Sequence, residues 1–259
     1  MKILITGATS GIGFETGIKL IEKGHFVYFT VHREEQIKTV VEHLKQLDVQ
    51  DMSAVFQMDI TKDKDLKLIY DLDVDCLICN ASVGYGGSVL DIPISSLKKN
   101  FEVNVFSNIK LIQMFCGHLF LENKKGKVVV VSSIAGIVPI PFLGSYSATK
   151  AALSSLTTSL NRELKLITNN IKIKLIEPGI YNTGYNDMMF DNKKDSVYFE
   201  DVESKFTEIE KSLFRLIGHD NNNSIVSRIV NAACSNSNKL VYSGPFFQKW
   251  SARLYSFFR

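Results

Sequence analysis

Short apolar segments alternate along the chain with segments of helical periodicity. The apolar segments are rich in Val, Ile and Leu and are bounded by turn residues, which is typical of buried strands. Strands are predicted at 2–6, 26–31, 54–60, 76–81, 127–133, 171–179 and 239–244. Helices are predicted at 11–23, 34–47, 62–71, 95–121, 145–166 and 224–233, the third of them capped by Thr61.

This alternation predicts the α/β class. Near-continuous apolar strands that alternate with helices indicate a parallel sheet covered on both faces and linked by right-handed crossovers. We therefore predict a doubly wound parallel sheet with three αβα layers, formed by one domain over residues 1–259. Residues 181–218 interrupt the alternation, and a helical substrate lid is predicted there because insertions beyond a strand's carboxyl end often cover a ligand.

One long uncharged run allows two interpretations. Val128 to Thr149 contains no charged residue and could span a bilayer on length alone. Its serines, glycines and prolines would be poor lipid-facing residues. We interpret the run as a buried strand followed by a loop.

Composition narrows the class of protein. Of the 259 residues, 45% are hydrophobic and 22% are charged, which is ordinary for a soluble globular protein. The net charge is only +3 and no dense Lys/Arg block occurs, so nucleic acid is not an expected partner. No apolar signal segment follows Met1, and we expect a cytoplasmic protein.

The cysteines and histidines do not predict a metal site. Cys76 and Cys79 form a CxxC pattern inside a predicted strand, where residues three apart point to opposite faces. The four cysteines fit buried small hydrophobes in a reducing compartment. The five histidines show no metal-binding spacing.

A glycine-rich turn follows the first predicted strand. Gly7, Gly11 and Gly13 allow tight turning and a close approach of the backbone to a phosphate. The turn opens a helix whose N-terminal amides favour an anion. We predict a dinucleotide site that also uses Thr9, Ser10 and Ile12.

Three motifs together resemble the short-chain dehydrogenase/reductase family. They are TGATSGIG at 6–13, YSATK at 146–150 and PGIYNT at 178–183. The resemblance extends over essentially the whole chain and is weakest in 181–218 and in the last fifteen residues. It implies a Rossmann-type fold, a small-molecule carbonyl or secondary alcohol as substrate, hydride transfer with a nicotinamide cofactor, and a homodimer or homotetramer.

A tyrosine and a lysine carry the predicted chemistry. Tyr146 and Lys150 share one helix face, and a nearby ammonium lowers the pKa of a phenol from about 10 toward the range of a general acid or base. The resemblance implies that Ser133 binds the substrate oxygen. It also implies that Asn104 kinks its helix and holds a water molecule against the lysine.

Further residues are predicted to bind the cofactor. The second strand ends without the acid that NAD usually requires, and His32 and Arg33 follow, which favours NADP(H); nearby acids leave NAD(H) open. The resemblance adds Asp59, Ile60, Asn80, Ala81, Pro178, Gly179, Ile180 and Thr183, with Tyr146 and Lys150 at the nicotinamide end.

Two aromatic regions bear on substrate and partners. The lid sequence contains Tyr181, Tyr185, Met188, Met189 and Phe190, which favour a bulky lipophilic substrate. The tail 245–259 is aromatic and basic and could contact a membrane surface, although docking on the protein itself or a second subunit is favoured.

Three functional classes stay open at this point. An oxidoreductase is favoured because the tyrosine and the lysine are both present. A non-catalytic dinucleotide-binding sensor is the alternative, and such proteins tend to lose one of the two. An epimerase or dehydratase usually carries a longer substrate domain than this chain has room for.

Overall fold

The protein is a single parallel sheet with helices on both faces. The computed structural model describes residues 1–181, 189, 192, 196–199, 202, 205, 208, 218 and 221–244. Seven parallel strands follow one another in the order β3-β2-β1-β4-β5-β6-β7. The strands are β1 (Lys2–Ile5), β2 (Phe26–Val31), β3 (Ser53–Gln57), β4 (Cys76–Cys79), β5 (Gly126–Val131), β6 (Ile171–Glu177) and β7 (Val241–Ser243). The predicted doubly wound Rossmann-type sheet is confirmed.

Helices cover both faces of the sheet. In the described residues they are α1 (Gly11–Ile21), α2 (Glu35–Gln46), α3 (Asp63–Leu66), α4 (Ile94–Phe101), α5 (Asn108–Leu121), α6 (Gly144–Ile167) and α7 (Asn223–Cys234). One apolar cluster joins the sheet to α1, α2 and α7, and a second joins its other face to α5 and α6. Three layers result, as predicted.

The strand order reverses between β1 and β4. β1 pairs with β2 on one side and with β4 on the other, so crossovers leave the sheet in opposite directions from this point. Loops that leave the carboxyl ends of two such strands diverge and open a crevice between them, where α/β proteins bind ligands. The glycine turn follows β1 and Asn80 follows β4, so both flank this crevice.

The strands end earlier than the apolar pattern predicts. β3, β4 and β5 stop two or three residues short of their predicted ends, so the last residues of each prediction lie beyond the strand. Asp59, Asn80 and Ser133 are among these residues. The carboxyl edge of the sheet is therefore lined by polar groups that the strand prediction had included in the sheet.

The structure adds detail to one helix prediction and corrects another. The helical region predicted at 95–121 consists of α4 and α5 with a π-helical segment, Glu102–Ser107, between them. Thr61 does not cap α3, which follows Lys62 without a side-chain cap. The Thr61 hydroxyl donates to Asp59 Oδ1 at 2.7 Å, and α3 begins one residue too late along the chain for Thr61 to be its N-cap.

The cysteines lie where the strand prediction puts them. Cys76 and Cys79 pack in the clusters on opposite faces of the sheet. Burial raises the pKa of Cys76 to about 12, and that of Cys79 rises for the same reason. All four thiols are free. Over the described ranges, no three metal-ligating side chains cluster, and no helix is long and apolar enough to cross a membrane.

Most of the predicted lid, 181–218, lies outside the described residues, as do Thr183, Tyr185, Met188, Phe190 and the whole tail 245–259.

Candidate active site

The glycine turn is packed too tightly for side chains. Gly7 has a φ of +63°, and a Cβ there would lie 2.8 Å from the Ala81 Cα. A Cβ on Gly13 would lie 2.5 Å from Asn80 Nδ2. Both contacts are shorter than real Cβ atoms tolerate. Glycine is therefore required where the loops after β1 and β4 meet.

Asn80 braces this turn from the β4 side. Its Nδ2 donates to the carbonyls of Thr6 and Gly7 at 3.1 and 2.9 Å. The Thr6 hydroxyl accepts the backbone amides of Asn80 and Ala81 at 3.0 Å each. These four bonds hold the two loops together and place Asn80 and Ala81 against the glycine turn. Thr6 was not singled out from the sequence, because it lies inside the predicted strand.

The start of α1 suits an anion. Ser10 has extended backbone and makes no side-chain capping bond, and no acid lies in the first turn. The amides and positive dipole end of α1 therefore open onto the turn without a carboxylate nearby in the helix. Ile12 packs against the core from the same turn. Together with the closely packed Gly7 and Gly13, these features fit the phosphates of a dinucleotide.

A mixed-charge group lies beyond β2 and β3. His32 and Arg33 are exposed directly after β2, and Asp59 is buried after β3. Asp59 Oδ1 lies 3.7 Å from His32 Nδ1, and Asp59 Oδ2 lies 3.6 Å from Lys62 Nζ. Burial raises the pKa of Asp59, but the hydrogen bonds from Thr61, together with His32 and Lys62, outweigh this effect and lower the pKa. Asp59 is therefore held as an anion that can accept hydrogen bonds, with the Lys62 ammonium and the His32 ring beside it.

Tyr146 and Lys150 occupy the first two turns of α6. The Lys150 ammonium lies 5.5 Å from the centroid of the Tyr146 ring. Both side chains are buried, at 3% and 7% exposure for Lys150 and Tyr146. Lys150 Nζ donates to the Val131 carbonyl at the end of β5, 3.2 Å away. Burial lowers the pKa of Lys150 to about 7.

Ser133 begins the turn that packs on this pair. Its hydroxyl accepts the Ala135 amide at 3.1 Å and so caps a short 3₁₀ turn, Ile134–Gly136. Ala135 packs with Tyr146, and a Cβ on Gly136 would lie 2.8 Å from the Lys150 backbone. The neighbouring Ser132 instead binds the Lys150 carbonyl and Ser154. Ser133 thus begins a turn that packs against α6 at Tyr146 and Lys150.

Asn104 lies inside the π-helical segment and is fully buried. Its Oδ1 accepts the Val83 amide at 2.8 Å, and its Nδ2 donates to the Val83 carbonyl at 2.8 Å and to Thr149 Oγ1 at 3.1 Å. The predicted break in the helix is present. The side chain connects the segment after β4 to α6, next to Lys150.

The segment after β6 lies next to the turn that follows Ser133. The Pro178 carbonyl accepts the Ile134 amide at 2.9 Å, which joins it to the turn after Ser133. Gly179 touches Gly244, where a Cβ would lie 2.5 Å from the Gly179 nitrogen. Ile180 is half-buried beside them.

The apolar part of the site is small in the described residues. Met189 packs with Ala135, Leu143 and Tyr146. A Cβ on Gly84 would lie 2.3 Å from Met189 Cγ, so this approach depends on glycine. Tyr181 does not belong to this group: it packs in the core on the α7 face, and its hydroxyl lies 3.0 Å from Ser224 Oγ.

Several polar residues in the site were missed at the sequence level. Thr149 donates to the Tyr146 carbonyl at 2.7 Å and accepts from Asn104. Asn100 donates to Ser145 Oγ at 2.8 Å. A usable signal existed in the four-residue spacing of Asn100 with Asn104, which repeats in Ser145 with Thr149 on the partner helix.

Comparison with known proteins gives consistent results. A family model described as short chain dehydrogenase matches residues 1–194. The chain is 36% identical over 207 residues to a probable short-chain type dehydrogenase/reductase, VdlC, of Helicobacter pylori. This match covers 77% of this chain and 72% of the relative. It is 32% identical to an NADPH-dependent 3-dehydrocapnine reductase of Ornithobacterium rhinotracheale, over 70% of this chain and 65% of that protein.

Solved structures share the fold. A short chain dehydrogenase/reductase from Burkholderia phymatum in complex with NAD superimposes with a TM-score of 0.83 at 19% identity, over 100% of this chain and 92% of the other. A short-chain dehydrogenase from Streptomyces avermitilis gives 0.80 at 22% identity, over 99% and 93%.

The sequence relatives are oxidoreductases by name, and the alternative of a non-catalytic sensor finds no support among them. The family model spans the glycine turn, the tyrosine–lysine pair and the segment after β6. The chain belongs to the short-chain dehydrogenase/reductase family and is an NAD(P)-dependent oxidoreductase.

Proposed function

We propose that this protein reduces a bulky lipophilic ketone, or oxidises the matching secondary alcohol, with NADP(H) as the preferred cofactor. The observation that carries the proposal is the buried pair Tyr146 and Lys150, beside the end of β5 and next to the β1–β4 crevice. A buried ammonium one helical turn from a phenol favours the phenolate, which a general acid needs when it gives up its proton.

Each residue of the pair has a separate role. The Tyr146 hydroxyl donates a proton to the carbonyl oxygen in reduction and accepts one from the alcohol in oxidation. The Lys150 ammonium stabilises the phenolate, and the Ser133 hydroxyl donates a hydrogen bond to the same substrate oxygen. Asn104 contributes by fixing Thr149 beside the lysine. The bound nicotinamide supplies or accepts the hydride.

The cofactor would lie along the crevice. Gly7, Thr9, Ser10, Gly11, Ile12 and Gly13 would hold its phosphates. Asp59 and Ile60 would contact the adenine, Asn80 and Ala81 would line the middle of the site, and Lys150 would bind the nicotinamide ribose. Pro178, Gly179, Ile180 and Thr183 would contact the nicotinamide end.

The choice of NADP(H) is supported by charge. Arg33 and His32 are exposed after β2 and can pair with a 2′-phosphate. The relative from Ornithobacterium is NADPH-dependent by name, whereas the Burkholderia structure contains NAD.

The substrate class is supported by the apolar group around the tyrosine. Leu143, Ala135 and Met189 surround Tyr146, so a lipophilic group next to the reacting carbonyl would be desolvated there. A relative from Bacteroides thetaiotaomicron, a 3-ketodihydrosphingosine reductase, is 32% identical over 71% of this chain and 65% of that protein. Both it and the 3-dehydrocapnine reductase are reductases by name.

We further propose one catalytic domain over residues 1–259, with a lid at 181–218 and a tail at 245–259 that packs on the protein or a second subunit. A homodimer or homotetramer is supported by the family, whose members commonly form oligomers. A cytoplasmic location is supported by the free thiols.

The test is NADPH oxidation by the full chain against a panel of long-chain, steroid-like and aromatic ketones, with NADPH and NADH binding measured in parallel. Turnover of a lipophilic ketone, together with tighter binding of NADPH than of NADH, supports the proposal. Cofactor binding without turnover of any ketone in the panel contradicts it.

A further inference from the structure

Three buried asparagines follow one another at four-residue intervals along α4, the π-helical segment and α5. Asn100, Asn104 and Asn108 are 0%, 0% and 1% exposed. Full burial of three amide side chains is costly unless each is hydrogen-bonded, so their partners indicate what they do.

Each asparagine binds alternate residues of the segment that leaves β4. Asn100 accepts the Tyr85 amide at 3.0 Å and donates to the Tyr85 carbonyl at 2.9 Å. Asn104 binds both backbone groups of Val83 in the same way. Asn108 donates to the Ala81 carbonyl at 3.2 Å. The side chains therefore act as a partner strand for residues 81–85, beside the cofactor crevice.

Two of the three asparagines also reach α6. Asn100 Nδ2 donates to Ser145 Oγ at 2.8 Å, and Asn104 Nδ2 donates to Thr149 Oγ1 at 3.1 Å. Ser145 directly precedes Tyr146, as Thr149 precedes Lys150. The bonds of Asn108 instead go to carbonyls of the π-helical segment and of the segment after β4.

The start of α6 needs such support from outside. The helix begins at Gly144, after Leu143, which provides no side-chain capping bond. Tyr146 therefore lies in the first turn, where backbone amides lack intrahelical partners and a glycine weakens the helix further. Lys150 lies one turn deeper and is held by Val131.

We propose that Asn100 is a positioning residue for the reaction. Through Ser145 it ties the first turn of α6 to Tyr85, so that the Tyr146 phenol keeps its place between Lys150 and the cofactor crevice. This inference rests on the proposed function of Tyr146. It adds a residue that neither the motifs nor the resemblance implicate.

The first test compares Asn100→Ala, Ser145→Ala and the double variant. Each single variant is expected to lower kcat by about 10- to 100-fold, because displacement of a reacting group by about 1 Å costs that much. The pH profile of kcat should move to higher pH, since a displaced phenol loses the influence of Lys150. The double variant should be no worse than the more impaired single variant, because both remove one bond.

Asn108→Ala is the matched control. It removes a buried amide from the same helix face but no bond to α6. It should lower the melting temperature as Asn100→Ala does, while the midpoint of its pH profile stays at the wild-type value. A midpoint that moves equally in both variants, or one that moves in neither, overturns the inference.

A second measurement does not depend on turnover. Amide hydrogen exchange of a peptide covering residues 143–150 should quicken in Asn100→Ala and Ser145→Ala but not in Asn108→Ala. Unchanged exchange at the start of α6 in the first two variants overturns the positioning role. Two other results would contradict the proposed function itself and are distinguishable from these. One is a wild-type protein that turns over no ketone, and the other is a Tyr146→Phe variant that is as active as wild type.

Discussion

Lys150 places its ammonium nitrogen 5.5 Å from the centre of the Tyr146 ring, with both side chains buried on one face of α6. The described hydrogen bond of this ammonium is to the neutral Val131 carbonyl, which adds no negative charge beside it. Burial lowers the pKa of Lys150 to about 7 because it disfavours the charged form. The charge is easily lost in the free protein, and an anion placed beside it, such as a phenolate, would favour its retention.

Replacing Tyr146 with Phe is expected to reduce kcat/KM by about 100-fold or more, because a positioned general acid or base contributes about that much. Steady-state oxidation of NADPH with an accepted ketone measures it. Tyr242→Phe is the matched control: this tyrosine of β7 is also buried, its hydroxyl pairs with Ser237 Oγ, and it packs in the apolar cluster on the sheet face opposite α6. Equal activity of Tyr146→Phe and wild type would contradict the assignment.

Without bound cofactor, the free energy of unfolding of the protein should rise with pH above about 7. The pKa of Lys150 is lower in the folded state than the ordinary 10.5, so between these values the unfolded chain binds more protons and raising the pH favours the fold. The slope from this one group approaches about 1.4 kcal/mol per pH unit.

Urea unfolding of wild type and Lys150→Met at several pH values from 7 to 10 measures this effect. The variant should show a slope smaller by roughly that amount. Lys174, whose pKa is lowered to about 8 by burial, contributes equally to both proteins and cancels in the difference. Identical slopes would show that Lys150 stays charged in the folded protein.

Arg33→Ala should weaken NADPH binding by about 10- to 100-fold, the loss of one charge-assisted bond to a phosphate, and leave NADH binding nearly unchanged. Titration of both cofactors measures the ratio of the two affinities. Arg162→Ala, an exposed arginine on α6, is the control for loss of charge alone. An unchanged ratio in Arg33→Ala would remove the role in 2′-phosphate selection.

Gly13→Ala should reduce both stability and cofactor binding. The new methyl would lie 2.5 Å from Asn80 Nδ2 and 3.0 Å from the Gly7 carbonyl, and overpacking of this kind costs about 1–3 kcal/mol. Thermal unfolding with and without NADPH gives both effects. Gly117→Ala, in a helix with no atom within 4 Å of its Cβ, should instead stabilise by up to about 1 kcal/mol. A Gly13→Ala variant with a higher melting temperature than Gly117→Ala would contradict the packing argument.

Part of the site could be predicted because its signals are local. The glycines at 7, 11 and 13 and the pair Tyr146 and Lys150 fall within single turns, where chain geometry fixes their neighbours. The break near Asn104 came from family resemblance. The cap predicted at Thr61 was wrong because α3 begins only at Asp63, which makes Lys62 its N-cap residue.

Periodicity and short-range spacing encode the order of strands and helices, the parallel class of the sheet and the residues with reactive side chains, so these could be predicted before the fold was known. That Thr6 joins the loops after β1 and β4, and that Asn100 and Asn104 bind the residues before Tyr146 and Lys150, became visible only in the folded protein. These bonds join positions 45 to 74 residues apart, and such pairings form only once the sheet has brought the carboxyl ends of its strands together.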